Sequence, residues 1–193
     1  MRKVVLDSIM SLDGYYTDSN NNIEWFLPFE EEDLTWSREI LEKAGLLVFG
    51  RTTYEEFSNF FPSLDTNATG WDQILVGQLN KLPKIVFSRT IKKADWKPST
   101  IVNADPAAEI SRLKGEEGKD IVLIGSGSVV AAVVRAGLVD EYRIRIEPVI
   151  VGSGKRLFGE KGEMRSLHLV YARSFRSGVT ALHYVPKGTE KAK

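Results

Sequence analysis

The stretch Ile121-Val-Leu-Ile-Gly-Ser-Gly-Ser-Val-Val130 decides how the rest of the chain is read. Four aliphatic residues, a glycine–serine turn and a resumed apolar pattern predict a buried strand running into the first turn of a helix. Such a helix start presents unpaired backbone N–H groups and the positive end of the helix dipole, a setting that suits a phosphate. Gly125 and Gly127 admit close approach to the backbone, while Ser126 and Ser128 add hydroxyl groups. Taken alone, the stretch fits equally well a tight turn that needs glycine for steric reasons.

Downstream, Asp140-Glu-Tyr-Arg-Ile-Arg-Ile-Glu-Pro-Val-Ile-Val-Gly-Ser-Gly154 opens a region of strand patterns that lasts to Val185 and includes the run Ser166 to Phe175. Upstream, residues 3–10 read as a first strand, and Ser11 to Asp18 as turn-rich, reversing at Asp13-Gly14. Leu34, Ile40 and Leu41 give a helical pattern over Asp33 to Ala44, ended by Gly45. A short apolar strand, Leu46 to Phe49, precedes a helix that Thr52 caps, with Glu55 completing a capping box. Residues 62–70 are the most loop-like stretch, 71–81 form a helix, and Lys84 to Phe87 a strand. Asp105-Pro106 starts a further helix, with Asp as cap and Pro at the first position.

Short apolar strands alternating with helices predict a three-layer α/β/α fold. Its sheet is mixed but mostly parallel, with antiparallel strands from the C-terminal region at one edge. One domain over 1–186 is expected, followed by a frayed polar tail over 187–193.

Composition excludes several classes of function. Among the 193 residues, Lys plus Arg and Asp plus Glu each total 26, so no net charge speaks for nucleic acid or an anionic membrane. Without cysteine there is no disulfide framework, thiolate metal site or thiol nucleophile. His168 and His183 lack the spacing of a metal site, so no metal is expected. The opening Met1-Arg-Lys-Val-Val-Leu starts like a signal peptide, but Asp7 interrupts it and no small-residue cleavage site follows. The uncharged run between Asp120 and Arg135 is shorter than the roughly 20 residues that span a bilayer. A soluble cytoplasmic protein is the simplest reading.

Two other strand ends share the character of Gly125–Ser128. Gly50-Arg-Thr-Thr-Tyr54 places glycine, arginine and two hydroxyls where a strand opens into a helix, and Phe87-Ser-Arg-Thr90 follows the next strand. Three such ends suit a phosphate-bearing cofactor along the C-terminal edge of a parallel sheet. The dinucleotide fingerprint G-x-G-x-x-G itself fails, since Val130 stands at the third glycine and the motif lies late in the chain.

Six pieces in order, Ser11-Leu-Asp-Gly14, Gly50-Arg-Thr-Thr-Tyr54, Ser88-Arg89, Ile124-Gly-Ser-Gly127, Gly137-Leu-Val-Asp-Glu141 and Pro148-Val-Ile-Val-Gly-Ser-Gly154 with Leu157-Phe158, run along nearly the whole chain. On these the chain resembles the dihydrofolate-reductase-like superfamily, in particular small proteins similar to the reductase (RibD C-terminal) domain of riboflavin biosynthesis. The resemblance implies an NADPH-dependent reductase acting on a small pterin- or pyrimidine-like heterocycle. It implies that Gly50, Arg51, Thr52 and Thr53 bind cofactor phosphates and that Ser88 and Arg89 approach the adenosine end. Gly125, Ser126, Gly127 and Ser128 would cradle the pyrophosphate, and a homodimer is implied as well. Tyr15 and Ile124 stand where the riboflavin reductases carry a lysine and a glutamate. Ser126 replaces the second glycine of a pair with an unusual peptide conformation, so cofactor affinity is expected to differ.

Individual residues keep two readings each. Asp33, in a run similar to the acid-bearing Asp-Leu-x-Trp of dihydrofolate reductases, either faces a substrate ring or complements a helix dipole together with Glu30–Glu32. Asp13 either orients substrate or serves the turn. These two aspartates are the candidate catalytic residues. Arg51 and Arg89 either pair with a 2′-phosphate or are solvated surface charges. Trp25, Phe26, Phe29 and Trp36 either roof a planar ligand or belong to the core, and Trp71 and Trp96 read as packing or surface residues. A non-catalytic nucleotide-binding or regulatory homodimer remains the alternative to the reductase.

Overall fold

The computed structural model describes residues 1–69, 71–159 and 164–188. The expected tail beyond Gly188 lies outside the described residues. The main sheet contains β1 (Val4–Ser11), β3 (Ala44–Gly50), β4 (Lys84–Phe87), β5 (Ser99–Val102), β6 (Asp120–Ile124), β7 (Glu141–Glu147), β9 (Leu167–Ser174) and β10 (Thr180–Pro186). Their order across the sheet is β5-β4-β3-β6-β1-β7-β10-β9. From β5 to β7 all pairs are parallel, and β10 runs antiparallel to both β7 and β9. A separate ribbon pairs β2 (Tyr15–Asp18) with β8 (Gly154–Arg156).

Period-two alternation divides the strands between two cores. Val5, Leu47, Phe49 and Val122 face α1 (Glu31–Leu41), α2 (Arg51–Phe60) and α4 (Gln73–Lys81), whose Trp36, Ile40, Tyr54, Leu75 and Leu79 complete one cluster. Val4, Leu6, Leu46, Val48, Ile121 and Leu123 face the other way. There Ile110 and Leu113 of α5 (Pro106–Lys114) and Val129, Val130 and Val133 of α6 (Gly127–Arg135) cover them. The central strands are apolar on both faces because helices lie on both sides, as an α/β/α sandwich requires.

Several local expectations hold. Asp105 caps α5, its carboxylate accepting from the Ala108 N–H at 2.9 Å, with Pro106 at the first helical position. Others are corrected. Gly45 does not end α1; it lies inside β3, where the register against β6 shifts between Ala44 and Leu46. A strand-interior glycine marking an irregularity explains it better than a helix stop. Thr52 is no cap: α2 starts at Arg51 with Gly50 in the cap position and no side-chain cap bond. The chain leaves the sheet two residues earlier than the hydroxyl pattern implies, because pairing of Gly50 with Phe87 carries β3 to its last residue. The loop-like 62–70 stretch contains a 3₁₀ turn, Phe61–Ser63, and the short α3 (Thr66–Thr69). Two strands depart from the sequence pattern: β2 lies within the turn-rich stretch Ser11 to Asp18, and β5 lies between Phe87 and Asp105, where only Ile101 and Val102 give a short apolar pair. Among the described residues no helix is long and apolar enough to cross a membrane.

Candidate functional site

Strand order creates the site. From β3 the chain moves outward through α2 to β4, whereas from β6 it moves through α6 to β7 on the far side of β1. Adjacent strands whose connections depart in opposite directions leave a crevice at their carboxyl ends. A cleft of about 830 Å³ opens there. Its walls include Gly50, Arg51, Thr52, Thr53, Ser88, Arg89, Gly125, Ser126 and Ser128.

At this end the two strand ends touch. A Cβ on Gly50 would lie 1.8 Å from Ser126 Oγ, and one on Gly125, which has φ +55°, would lie 2.9 Å from Thr53 Oγ1. The Gly125–Ser126 peptide is cis. Ser88 Oγ accepts from the Thr90 and Ile91 N–H groups at 3.1 and 3.0 Å, folding this segment into a hydroxyl-anchored turn against the cleft. Arg51, Arg89 and Lys155 are exposed cations on the walls, Arg51 with Glu55 at 3.7 Å. Gly127 is the exception. It is buried, its N–H donates to the Tyr16 hydroxyl at 3.2 Å, and a Cβ there would sit 2.7 Å from the same oxygen. Burial raises the Tyr16 phenol above its ordinary value, so it stays a neutral hydroxyl.

The other end is apolar on its sides and charged on its floor. Phe26, Phe29, Ile9 and Leu41 line it, together with Asp7 and Arg145. Arg145, only 5% exposed, stacks its guanidinium 5.0 Å from the Phe29 ring centre and holds Asp33 Oδ1 at 3.5 Å from Nη1. Asp7 is partly exposed as a residue, yet its Oδ1 is shut from solvent without a hydrogen bond. Burial pushes this carboxyl above the usual range, against the pull of Arg145, Arg143 and the Trp36 indole N–H. Glu147 is raised likewise, chiefly by burial.

The RibD C-terminal domain family matches residues 2–181. The chain belongs to that family. A curated relative is the uncharacterized protein YyaP of Bacillus subtilis, 30% identical over 95% of this chain and 94% of its own length. A second, the uncharacterized YwjB of the same organism, is 28% identical over 95% of this chain and 98% of its own. Among solved structures, a putative riboflavin biosynthesis protein from Shewanella sp. PV-4 has a TM-score of 0.75 at 23% identity, covering 97% of this chain and 99% of that one. A pyrimidine reductase-like protein from Corynebacterium diphtheriae has a TM-score of 0.65 at 16% identity, covering 96% and 92%. These likenesses establish the dihydrofolate-reductase-like fold of the RibD family for this chain.

Within that fold, the residues assigned to cofactor phosphates come together, apart from Gly127 behind Tyr16. The two candidate acids do not. Asp33 is 2% exposed and is not on the cleft wall; it lies in the first turn of α1, accepts the Glu30 N–H at 3.2 Å, and neutralises Arg145. Dipole complementation describes it in part, but on a buried pair rather than a solvated surface. Asp13 lies off the cleft and ties the β1–β2 turn to the loop after β7. Its carboxylate accepts from Val151 N–H at 3.1 Å, Gly152 N–H at 2.8 Å and Ser11 Oγ–H at 2.6 Å. These bonds, that of Ser11 foremost, hold its pKa down to about 2. Of the aromatics, Trp36 and Trp96 are core, whereas Phe26, Phe29 and Trp71 line the cleft.

Sequence reasoning missed Asp7, Arg145 and Tyr16. The signal for the first two was a charge inside an otherwise apolar strand pattern, Leu6-Asp7 and Arg143-Ile-Arg145-Ile146. For Tyr16 there was none, because its partner lies 111 residues away.

Proposed function

We propose that the protein is a cytoplasmic NADPH-dependent reductase that reduces a C=N or C=O bond in a small pterin- or pyrimidine-like heterocycle. The observation that carries this reading is the convergence of three glycine- and hydroxyl-bearing strand ends on one cleft with cations on its walls. The residues present suit a dinucleotide: a Cβ on Gly50 would run into Ser126 and one on Gly125 into Thr53, so the two strand ends close on each other and, with Thr52 and Ser128, line the cleft with backbone and hydroxyl groups that suit phosphates. Arg51 and Arg89 suit a 2′-phosphate, and the bound cofactor would supply the hydride. What the chain supplies is position, exclusion of water by Phe26, Phe29 and Trp71, and the charges of the floor.

Titration with NADPH and NADH tests this. Each charge-assisted arginine–phosphate contact contributes about 1.5–3 kcal/mol, so NADPH is expected to bind roughly tenfold or more tighter, and Arg51→Ala or Arg89→Ala to narrow the gap. Equal affinities would remove the assignment of both arginines, and no binding of either would end the reductase reading. A screen of pteridines, pyrimidines and quinones for NADPH oxidation then separates a reductase from a protein that only binds nucleotide.

A second copy of the chain is the partner this reading gives the edge strand β9, where Leu167, Leu169 and Val170 are 37%, 44% and 47% exposed. Edge strands with apolar side chains are usually covered. Sedimentation is expected to give a dimer at micromolar concentration, and a monomer there refutes it.

A further inference from the structure

The reductase reading uses the strand ends and the floor of the cleft and leaves one of its walls with little to do. That wall comes from α1, α2 and residues 61–79, through Leu41, Phe57, Phe60, Phe61, Leu75 and Leu79. Phe60 and the neighbouring Phe29 are 43% and 36% exposed, so they face the cleft and are not core. Trp71 ties the wall together: its ring meets Phe29, Phe60 and Phe61 edge-on, with centroids 5.8, 5.4 and 5.6 Å apart. Aromatic surface left open to water is unfavourable, and where it continues a ligand cleft it marks a place for an apolar group of that ligand.

Charge limits what that group is. Among the described residues, the charged side chains that line the cleft are Asp7, Arg51, Glu56, Arg89, Arg145 and Lys155. None comes from α1 or from residues 61–79. Arg38, the cation of α1, lies outside the lining and is already taken by Glu31 at 2.5 Å and Asp72 at 2.8 Å. A phosphate or carboxylate laid on this wall would therefore lose its water and gain no cation, which is costly. A polyol fares little better, since Ser37 is the one hydroxyl that α1 and residues 61–79 give the lining, and unpaired hydroxyls are unfavourable against aromatic rings. An alkyl or aryl group loses nothing there.

We propose that the wall of Phe29, Phe60, Phe61 and Trp71 is a subsite for an apolar arm on the substrate, so that the protein selects a ring carrying an alkyl or aryl substituent over one carrying a phosphorylated or sugar-like chain. Phe60 is the residue that sets this choice, because it is the most open of the four and stands on α2, whose first turn forms one of the strand-end loops. The proposal names the substrate class of the site proposed above and so rests on that reading, but its test compares arms on one ring and is read without nucleotide.

The experiment titrates the full chain by calorimetry with 6-(methylamino)uracil, 6-(butylamino)uracil and 6-(2-phosphoethylamino)uracil, one ring with three arms. Each methylene buried should tighten binding about two- to fourfold, so the butyl compound is expected to bind roughly tenfold or more tighter than the methyl one. The phosphoethyl compound should bind at least about tenfold more weakly than the butyl one. Phe60→Asp should cut the butyl-to-methyl ratio to about threefold or less, whereas Phe60→Leu should keep most of it; should Phe60→Asp not fold, Phe60→Ser takes its place. Equal affinity for methyl and butyl arms, preference for the phosphate, or an unchanged ratio in the folded Phe60→Asp protein overturns the proposal. Sedimentation of Phe60→Asp adds a check: a dimer lost with the ratio unchanged would make the wall an interface between copies instead. A parallel NADPH titration separates the failures. A protein that binds NADPH but none of the three compounds, or binds them without regard to the arm, loses this proposal alone. One that prefers the butyl arm but binds no NADPH loses the reductase reading and keeps the apolar subsite.

Discussion

At one end of the cleft the chain offers backbone and hydroxyl groups from three strand ends; at the other it offers charged side chains standing on the face of the sheet. The first end is made of short contiguous pieces, Gly50–Thr53, Ser88–Thr90 and Gly125–Ser128, each half-exposed or at the surface apart from buried Gly50, Ser88 and Gly127. The second depends on residues far apart in the chain, Asp7, Asp33 and Arg145, whose charges balance only once β1, α1 and β7 have packed. Substitutions at the first end should therefore act mainly on ligand affinity, and those at the second mainly on stability.

The sharpest challenge to that contrast is Asp33→Asn. It leaves the Arg145 guanidinium, 5% exposed, without the carboxylate 3.5 Å away. Removing one partner of a buried pair costs about 3–5 kcal/mol, and the lower edge is expected because Asp7 and Glu147 stand near enough to take up negative charge. Urea denaturation measures it. A loss below about 1 kcal/mol would show that Arg145 is solvated from the cleft and that the floor is not a dry site.

A smaller effect is expected at the phosphate end from Gly50→Ala. The added methyl would lie 1.8 Å from Ser126 Oγ and 3.1 Å from its Cβ, so the two strand ends must part or Ser126 must turn away. Overpacking of this kind costs about 1–3 kcal/mol. NADPH affinity should fall with it, and Gly50→Ala/Ser126→Gly should recover most of both in melting and fluorescence titration. Full NADPH affinity in Gly50→Ala would show that the approach of these strand ends does not shape the phosphate site.

The same contrast explains what could be read from the sequence. Elements with a local signature were legible: β4 as an apolar run, α5 through Asp105-Pro106, and the strand-to-helix turn of β6 and α6. The three strand-end loops that meet at the cleft, proposed above to hold phosphates, were legible as loops because each is its own motif. Gly45 misled because a glycine after a helical pattern signals a stop, whereas pairing of Ala44 with Asp120 starts β3 one residue before it. Asp13 and Asp33 read as reactive acids from their place in motifs, but the partners that occupy them, Val151, Gly152 and Arg145, come from distant strands and loops. Arg145 itself sits in an alternating strand that reads as half-exposed; only the covering of that face by α1 turns its charge inward.

The smallest effect should come from Tyr16→Phe, which joins the ribbon strand β2 to the phosphate end. The Tyr16 hydroxyl accepts the Gly127 N–H at 3.2 Å, at the first position of α6. A phosphate that takes this N–H must displace the hydroxyl, so the wild type gives up one hydrogen bond on binding. A neutral bond of this kind contributes about 0.5–1.5 kcal/mol, so removing it should tighten NADPH roughly two- to tenfold. The ring itself should keep its packing, because Phe retains all but the oxygen, and stability of the unliganded chain should fall by no more than the same amount. Nucleotide affinity that stays constant or weakens in Tyr16→Phe would mean that Gly127 N–H is not a phosphate donor and that Tyr16 holds α6 for packing alone. Gly127→Ala distinguishes the cases further: its methyl would meet the Tyr16 hydroxyl at 2.7 Å and push the ring aside, so it should mimic Tyr16→Phe only if displacement of the hydroxyl is what binding requires.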